Sequence, residues 1–485
     1  MLTTQTAEIL RSLDKTELKR FGDFIKSPYF NTTKPLEKIF DIVQKTFPEF
    51  EGESLSRERI YKKLYPSETY NEKRIKNLSA EFSNLLKKFL AHEYLAKNKL
   101  QMDVNITTEL TKKNLNKISE KLIAKSLIDN DDGLLSIADR FHYVYPLNVN
   151  HAHNLGNLRE HGSPEYLQSD IELIEKLIIF FMTNIYQLSF YDTMNHKIFM
   201  MDENPILKVV AGSIDAEKIL SYMGKTGHEY TSYLRVHYLF HYYSQNDVTE
   251  EKYLEFKKEI LSTIRKVKKL DQTQFIFRMI HMIISKLSVD TRKYYEDVIE
   301  FAELIDELEI FTLADVKTFD NGPFRDIFII AIALKKYDWA ENFVNKYINF
   351  MNKDLRHDTE NFCRGVLAFK RGKFEDSLRH FSVVKMIDIV EKLNIRFYYM
   401  MNYIELKSYE SALSALQSFR QFTHDSDVIP EMFATRVQDS LKYFAEIIKC
   451  EEKGERIEEW MIKEVEEKKG IIHKQYLLEK MEKLI

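Results

Sequence analysis

The chain has 485 residues with a formal net charge of −4, 44% hydrophobic and 13% aromatic residues, and only 13 glycines and 9 prolines. Usual shares of glycine and proline are about 7% and 5%, so a turn-rich β fold, whose hairpins need both, is excluded. The near-balanced charge gives no global pull toward nucleic acid or membrane, and two cysteines, Cys363 and Cys450, cannot build a disulfide framework or a cysteine-based zinc site.

The expected class is all-α, in more than one module, since single cores rarely grow beyond about 250–300 residues. The start, "MLTTQTAEILRSLDKTELKRF", lacks the apolar core of a signal peptide. The apolar run "IFIIAIAL" (Ile327–Leu334) stops at eight residues, against about 18 for a membrane span. A cytoplasmic protein with no membrane partner is expected.

In chain order, residues 1–100 read as an N-terminal helical domain. Asp14 and Glu17 have capping-box spacing and open a helix with Leu18, Phe21, Phe24 and Ile25 on one face. Ser27-Pro28 ends it. Helices follow at Pro35, after Ser56 as a cap, and after Asn71 as a cap, the last running long through Tyr94. Residues 101–319 read as helical hairpins. Within them "YVYPLNVNHAHNLGNLREHGSP" gathers Pro, Gly, Asn and His and is expected to be a loop or boundary. Ser163 then caps a restart, with Pro164 at the first helical position.

Nearer the C-terminus three segments align without gaps: "KKYDWAENFV" (Lys335–Val344), "GKFEDSLRHF" (Gly372–Phe381) and "KSYESALSAL" (Lys407–Leu416). Each has an aromatic residue (Tyr337, Phe374, Tyr409), then an acid (Asp338, Glu375, Glu410), and a small residue three positions after the aromatic (Ala340, Ser377, Ala412). Residues 320–425 therefore resemble the tetratricopeptide repeat (TPR), two antiparallel helices per about 34 residues. The resemblance implies a helical-hairpin solenoid, with Gly365 where helices cross closely and Gly372 in a tight turn. Phe328 and Met400, and Lys335 and Lys407, stand at those places in the flanking segments. Residues 426–485 read as C-terminal capping helices.

The same resemblance implies a groove lined by the first helix of each hairpin. Carried over position by position, its residues are Arg325, Ile329 and Ile332, then Phe362, Val366, Phe369 and Lys370, then Phe397, Met401, Ile404 and Glu405. Its expected occupant is a protein or peptide, and the expected function a non-catalytic binding scaffold or adaptor.

The alternative is a DNA-binding transcriptional regulator. "LSRERIYKKLYPSETYNEKRIKNLSAEFSNLLKKFL" (Leu55–Leu90) resembles part of a winged helix, within 55–95: short helix, proline turn, longer recognition helix. That resemblance would set Lys73, Arg74, Lys76 and Asn77 against DNA, with Lys87 and Lys88 near phosphates. "LKRFGDFIKSPYFN" (Leu18–Asn31) with "RIYKKLYP" also resembles the start of uncharacterised Bacteroidetes-type bacterial proteins, which implies a bacterial source and no activity.

No catalytic, cofactor or metal residues are expected. "MGKTG" (Met223–Gly227) ends like a phosphate loop, but Ile219 replaces the leading glycine. "IDNDDGLL" (Ile128–Leu135) imitates a calcium loop with Ile128 first and Asp139 twelfth, neither a fitting ligand. His142, His151, His153 and His161 have no acid or cysteine arranged to complete a metal set.

Overall fold

The computed structural model describes residues 1–129, 136–158, 162–199, 202–286, 292–312, 318–385, 389–426, 429 and 431–485. These are all-α: helices, short 3-10 turns and one isolated bridge between Phe319 and Met351, with no strand among the described residues. The chain divides into two compact units, Met1–Asn130 with Tyr143–Asp170, and Asp131–His142 with Ile171–Ile485. The first thus extends past residue 100.

The first unit opens with α1 (Thr4–Ser12), α2 (Lys15–Lys26), α3 (Pro35–Val43), α4 (Arg57–Leu64) and α5 (Glu72–Lys97). The caps lie where the side chains call for them. Asp14 and Glu17 form a capping box, and Ser56 and Asn71 accept from the backbone N–H groups of Arg59 and Arg74. Phe21 anchors the core, its ring set edge-on to Phe40 at 5.5 Å and Phe82 at 5.7 Å. Gly22 lets α3 come close, because a Cβ there would lie 2.6 Å from Phe40 Cε1.

Then come α6 (Lys99–Lys112), α7 (Asn116–Asp129) and α8 (Ile137–Asn157). The loop expected from residue 143 is helical through Asn157, with Pro146 inside the helix. Asparagines favour loops when they bond their own backbone, but here their amides reach other helices. Asn150 Nδ2 donates to Thr107 at 3.1 Å and Thr108 at 3.0 Å. Asn154 accepts from the Thr111 hydroxyl at 2.8 Å and donates to Glu120 at 2.8 Å. Ser126 donates to Asp103 at 2.6 Å. These side chains form a buried polar seam joining α6, α7 and the part of α8 that belongs to the first unit.

α9 (Pro164–Phe199) starts as expected, with Ser163 Oγ accepting from the Tyr166 N–H at 3.1 Å. It contains no uninterrupted apolar run of membrane-spanning length. By length and composition it could cross a membrane, the one such helix among the described residues, with a third of its apolar window buried. Its apolar residues are spread over two faces, so no uninterrupted run announces them. The buried face carries Ile179, Met182, Tyr186 and Phe190 into the second unit's core.

The second unit continues through α10 (Pro205–Ser213), α11 (Ala216–Thr226), α12 (Thr231–Gln245), α13 (Glu250–Ile264), α14 (Lys269–Lys286) and α15 (Arg292–Glu307). Next are α16 (Asn321–Ala333), α17 (Tyr337–Tyr347), α18 (Lys353–Lys370), α19 (Phe374–Ser382), α20 (Ile389–Glu405) and α21 (Tyr409–Asp425). The chain ends with α22 (Glu431–Lys453), α23 (Glu459–Glu467) and α24 (Lys474–Met481). From α14 to α22 each helix packs on the next, and α14, α16, α18 and α20 also touch in succession.

The three aligned segments adopt one local structure. Tyr337, Phe374 and Tyr409 each begin the second helix of a pair, and Ala340, Ser377 and Ala412 are completely buried. Lys335, Gly372 and Lys407 all have positive φ, at 60°, 74° and 56°. The turns close with matching bonds: Lys336 N–H to Ala331 O, Lys373 N–H to Ala368 O, and Ser408 N–H to Tyr403 O, at 2.8–2.9 Å. Left-handed backbone costs a lysine what it spares a glycine, so two of the three turns hold a residue the conformation disfavours.

A Cβ on Gly365 would lie 2.8 Å from Phe381 Cε1. In the alignment the corresponding positions hold Phe328 and Val344, and Met400 and Leu416, all buried. Where the first helix has no side chain, the second supplies a ring, so volume is exchanged across the hairpin while the interior stays filled.

Candidate functional site

A cleft of the second unit has a volume of about 620 Å³. Arg325 and Ile329 of α16, Phe369 and Lys370 of α18, and Tyr398 and Glu405 of α20 line it. Its opposite wall is the C-terminal helix, through Tyr476, Glu479 and Lys480.

That wall is held by charge and rings together. The Tyr476 hydroxyl donates to Glu405 at 2.9 Å. Lys480 Nζ lies 3.2 Å from Glu405 and 2.7 Å from Glu451. His473 packs its ring against Phe397 at 5.1 Å and Tyr398 at 5.3 Å, and Tyr476 meets Phe369 at 6.0 Å. Leu477 and Met481 are wholly buried, so α24 is integral to the core.

Each titrating group responds to that packing. Burial lowers the Lys480 ammonium, but Glu451 and Glu405 outweigh it and the pKa is raised. Burial, then Lys370, pushes His473 down to about 3, so the imidazole is neutral. Its Nε2 is enclosed without a hydrogen-bond partner. Lys370 is exposed as a residue, yet the cleft walls take enough water from its ammonium to lower its pKa, with Glu479 opposing and Lys335 reinforcing.

Of the expected groove residues, Arg325, Ile329, Phe369, Lys370 and Glu405 converge on this cleft, with Ile332 also lining it. Phe362, Val366, Phe397, Met401 and Ile404 do not face solvent: each is at most 1% exposed. For α20 the cause is visible, because the C-terminal segment folds back and His473 covers Phe397. Sequence reasoning missed His473, Tyr476, Glu479 and Lys480. The amphipathic pattern there announces a helix and carries no local sign of which helices it will meet.

No family model, curated protein or solved structure matches the chain. The site has to be read from its own residues.

In the first unit, Lys73, Arg74, Lys76, Asn77, Lys87 and Lys88 are all exposed on α5. Arg74 is bonded to Glu68 at 2.7 Å and stacked over Tyr65 at 3.7 Å, and Lys76 pairs with Glu72 at 3.0 Å. The short helix, Pro66 turn and long helix occur in the winged-helix order. α5 then runs unbroken to Lys97, where a wing would require a hairpin.

The remaining motifs settle into ordinary structure. "MGKTG" is the C-terminus of α11, where Gly227 adopts φ 68° and closes the helix. Such an end offers carbonyls, while a phosphate needs N–H donors. His151 bonds Glu120 at 2.6 Å, and among the described residues no three His, Cys, Asp or Glu side chains gather as a metal site. His161 and the centre of "IDNDDGLL" lie outside the described residues.

Proposed function

We propose that residues 320–425 form a TPR-like solenoid and that the protein is a non-catalytic scaffold or adaptor. Its cleft, bounded by α16, α18, α20 and α24, holds an extended segment of a protein partner. The observation that carries this reading is the convergence of Arg325, Ile329, Phe369, Lys370 and Glu405, from three successive first helices, on one cleft. Ile329 offers apolar surface over a floor that includes the buried Phe369, and Lys370 is a poorly solvated cation able to gain from an anionic partner group. The cleft's acids are engaged within the chain: Glu405 receives Tyr476 and Lys480, Glu479 accepts from Gln475, and Asp326 lies 3.6 Å from Arg325.

A photoreactive side chain at Ile329 tests the proposal in the native cell. It should cross-link a protein that the same probe at Lys87 does not reach, and Lys370→Glu should cut the yield at least about tenfold. Equal labelling from both positions, or no effect of Lys370→Glu, overturns it.

A further inference from the structure

α9 carries a second apolar face that nothing in the second unit covers. Ile171, Ile174, Ile178, Phe181, Ile185 and Leu188 follow one another at intervals of three and four residues. Five are 52%, 58%, 45%, 46% and 55% exposed, in chain order omitting the half-buried Ile185. Leu177, 43% exposed, widens the stripe. Scattered exposed leucines need no explanation, whereas a contiguous patch marks a contact surface. By comparison α5, with 26 residues, exposes only Leu90 and Tyr94 among its large apolar residues.

We propose that this stripe is a self-association seam, and that two copies of the chain pair through antiparallel α9 helices. Alternating intervals of three and four are the a/d pattern of a left-handed coiled coil, which selects another helix as occupant. A two-fold axis midway between Ile178 and Phe181 makes the seam self-complementary. Ile171 then meets Leu188 of the second copy, Ile174 meets Ile185, and Ile178 meets Phe181. Each layer joins an a position with a d position, and the large Phe181 lies across from the smaller Ile178. A parallel pair would force the two phenylalanines into one layer.

Area and charge support the same occupant. The exposed parts of these residues amount to about 500 Å² per copy, so burying all of it in both copies gives about 1,000 Å², the lower limit expected of a specific interface. Along the stripe the charged residues lie at its N-terminal end, where Glu172 pairs with Lys176 at 3.2 Å, and the antiparallel register sets that end opposite the uncharged residues 182–189 of the second copy. A membrane surface fits poorly, since interfacial helices carry lysine and arginine on the polar face, and here Glu172 and Glu175 outnumber Lys176. Spanning a bilayer would pull Tyr186 and Phe190, both 0% exposed, out of the core.

The mass of the purified full chain, measured by light scattering and sedimentation at about 1–50 μM, tests the seam. The wild type should be a dimer. Ile174→Glu and, independently, Leu188→Lys should be monomers with unchanged helical circular dichroism, because both side chains are exposed. Cys363 and Cys450 are buried, so introduced cysteines report orientation. A mixture of Ile178→Cys and Phe181→Cys chains should cross-link between unlike copies. A monomeric wild type, dimers that survive both substitutions, or wild type carried on anionic vesicles and released by Ile174→Glu would overturn the seam. Cross-linking of Ile178→Cys only to itself would overturn the antiparallel pairing.

Discussion

Replacing Gly365 with alanine tests the helix crossing on which the repeated hairpins rest. The added methyl would sit 2.8, 2.9 and 3.0 Å from three atoms of the Phe381 ring, where unstrained carbons keep about 3.5–4.0 Å. Phe381 cannot swing aside, being 2% exposed and stacked on Tyr398 at 5.2 Å. Overpacking of this kind costs about 1–3 kcal/mol, and alanine's better helix propensity returns about 1 kcal/mol. The net expectation is a loss of up to about 2 kcal/mol. Gly212 is the control: it too is helical, and nothing lies within 4 Å of its Cβ position, so Gly212→Ala should gain up to about 1 kcal/mol. Both tryptophans, Trp339 and Trp460, lie in the second unit, so urea unfolding followed by their fluorescence reads that unit alone. Gly365→Ala combined with Phe381→Leu should recover part of the loss through a coupling of about 1 kcal/mol. If Gly365→Ala unfolds at or above the wild-type midpoint, as Gly212→Ala should, the close crossing is refuted.

The turns give the opposite sign. Lys335→Gly and Lys407→Gly should each stabilise the second unit by about 1 kcal/mol by relieving left-handed backbone, and Gly372→Ala should destabilise it similarly, by the same fluorescence assay. In the first unit, Asn154→Ala leaves a Glu120 oxygen without its amide donor and the Thr111 hydroxyl with Ser119 alone at 3.2 Å, and should cost about 2 kcal/mol, visible as faster amide exchange in α6–α8. Acid acts on buried histidines: burial holds His241 down to about 4 and His473 down to about 3. Unfolded chains therefore take up protons first as pH falls from 6.5, and the second unit should lose stability between about pH 6.5 and 4. Asp271 works against that loss. Burial raises its pKa to about 6 although it accepts from Ile137 and Tyr233, so its protonation favours the folded state as pH falls from about 6 to 4. Asp271→Asn should make the acid loss steeper, and an unchanged slope of urea midpoint against pH would contradict the assignment.

The local features were readable because local chemistry decides them. A capping box needs only Asp14 and Glu17, and the start of each second helix needs only the aromatic and acid after a turn. Lys335 and Lys407 aligned with Gly372 but stood out as departures from a turn glycine, and their left-handed backbone runs against the residue's own preference. What failed was whatever depends on a distant partner. The asparagines of α8 read as loop formers because their bonds to Thr107, Thr111 and Glu120 cross 34–43 positions of sequence. The alignment of the three segments named Lys370 and Glu405, which line one cleft, while the burial of Phe397 depends on a segment that returns from the far end of the chain.

The amide and hydroxyl seam of α6, α7 and α8 has a consequence for how this part of the molecule can change. Oil tolerates sliding; a row of directional donors and acceptors has one notch. Shifting α8 by a single residue would turn Asn150 and Asn154 away together and break their bonds to Thr107, Thr108, Thr111 and Glu120 at once. Drift at these sites should therefore proceed through coupled replacements, with amide and hydroxyl exchanged for hydrocarbon on both helices at once.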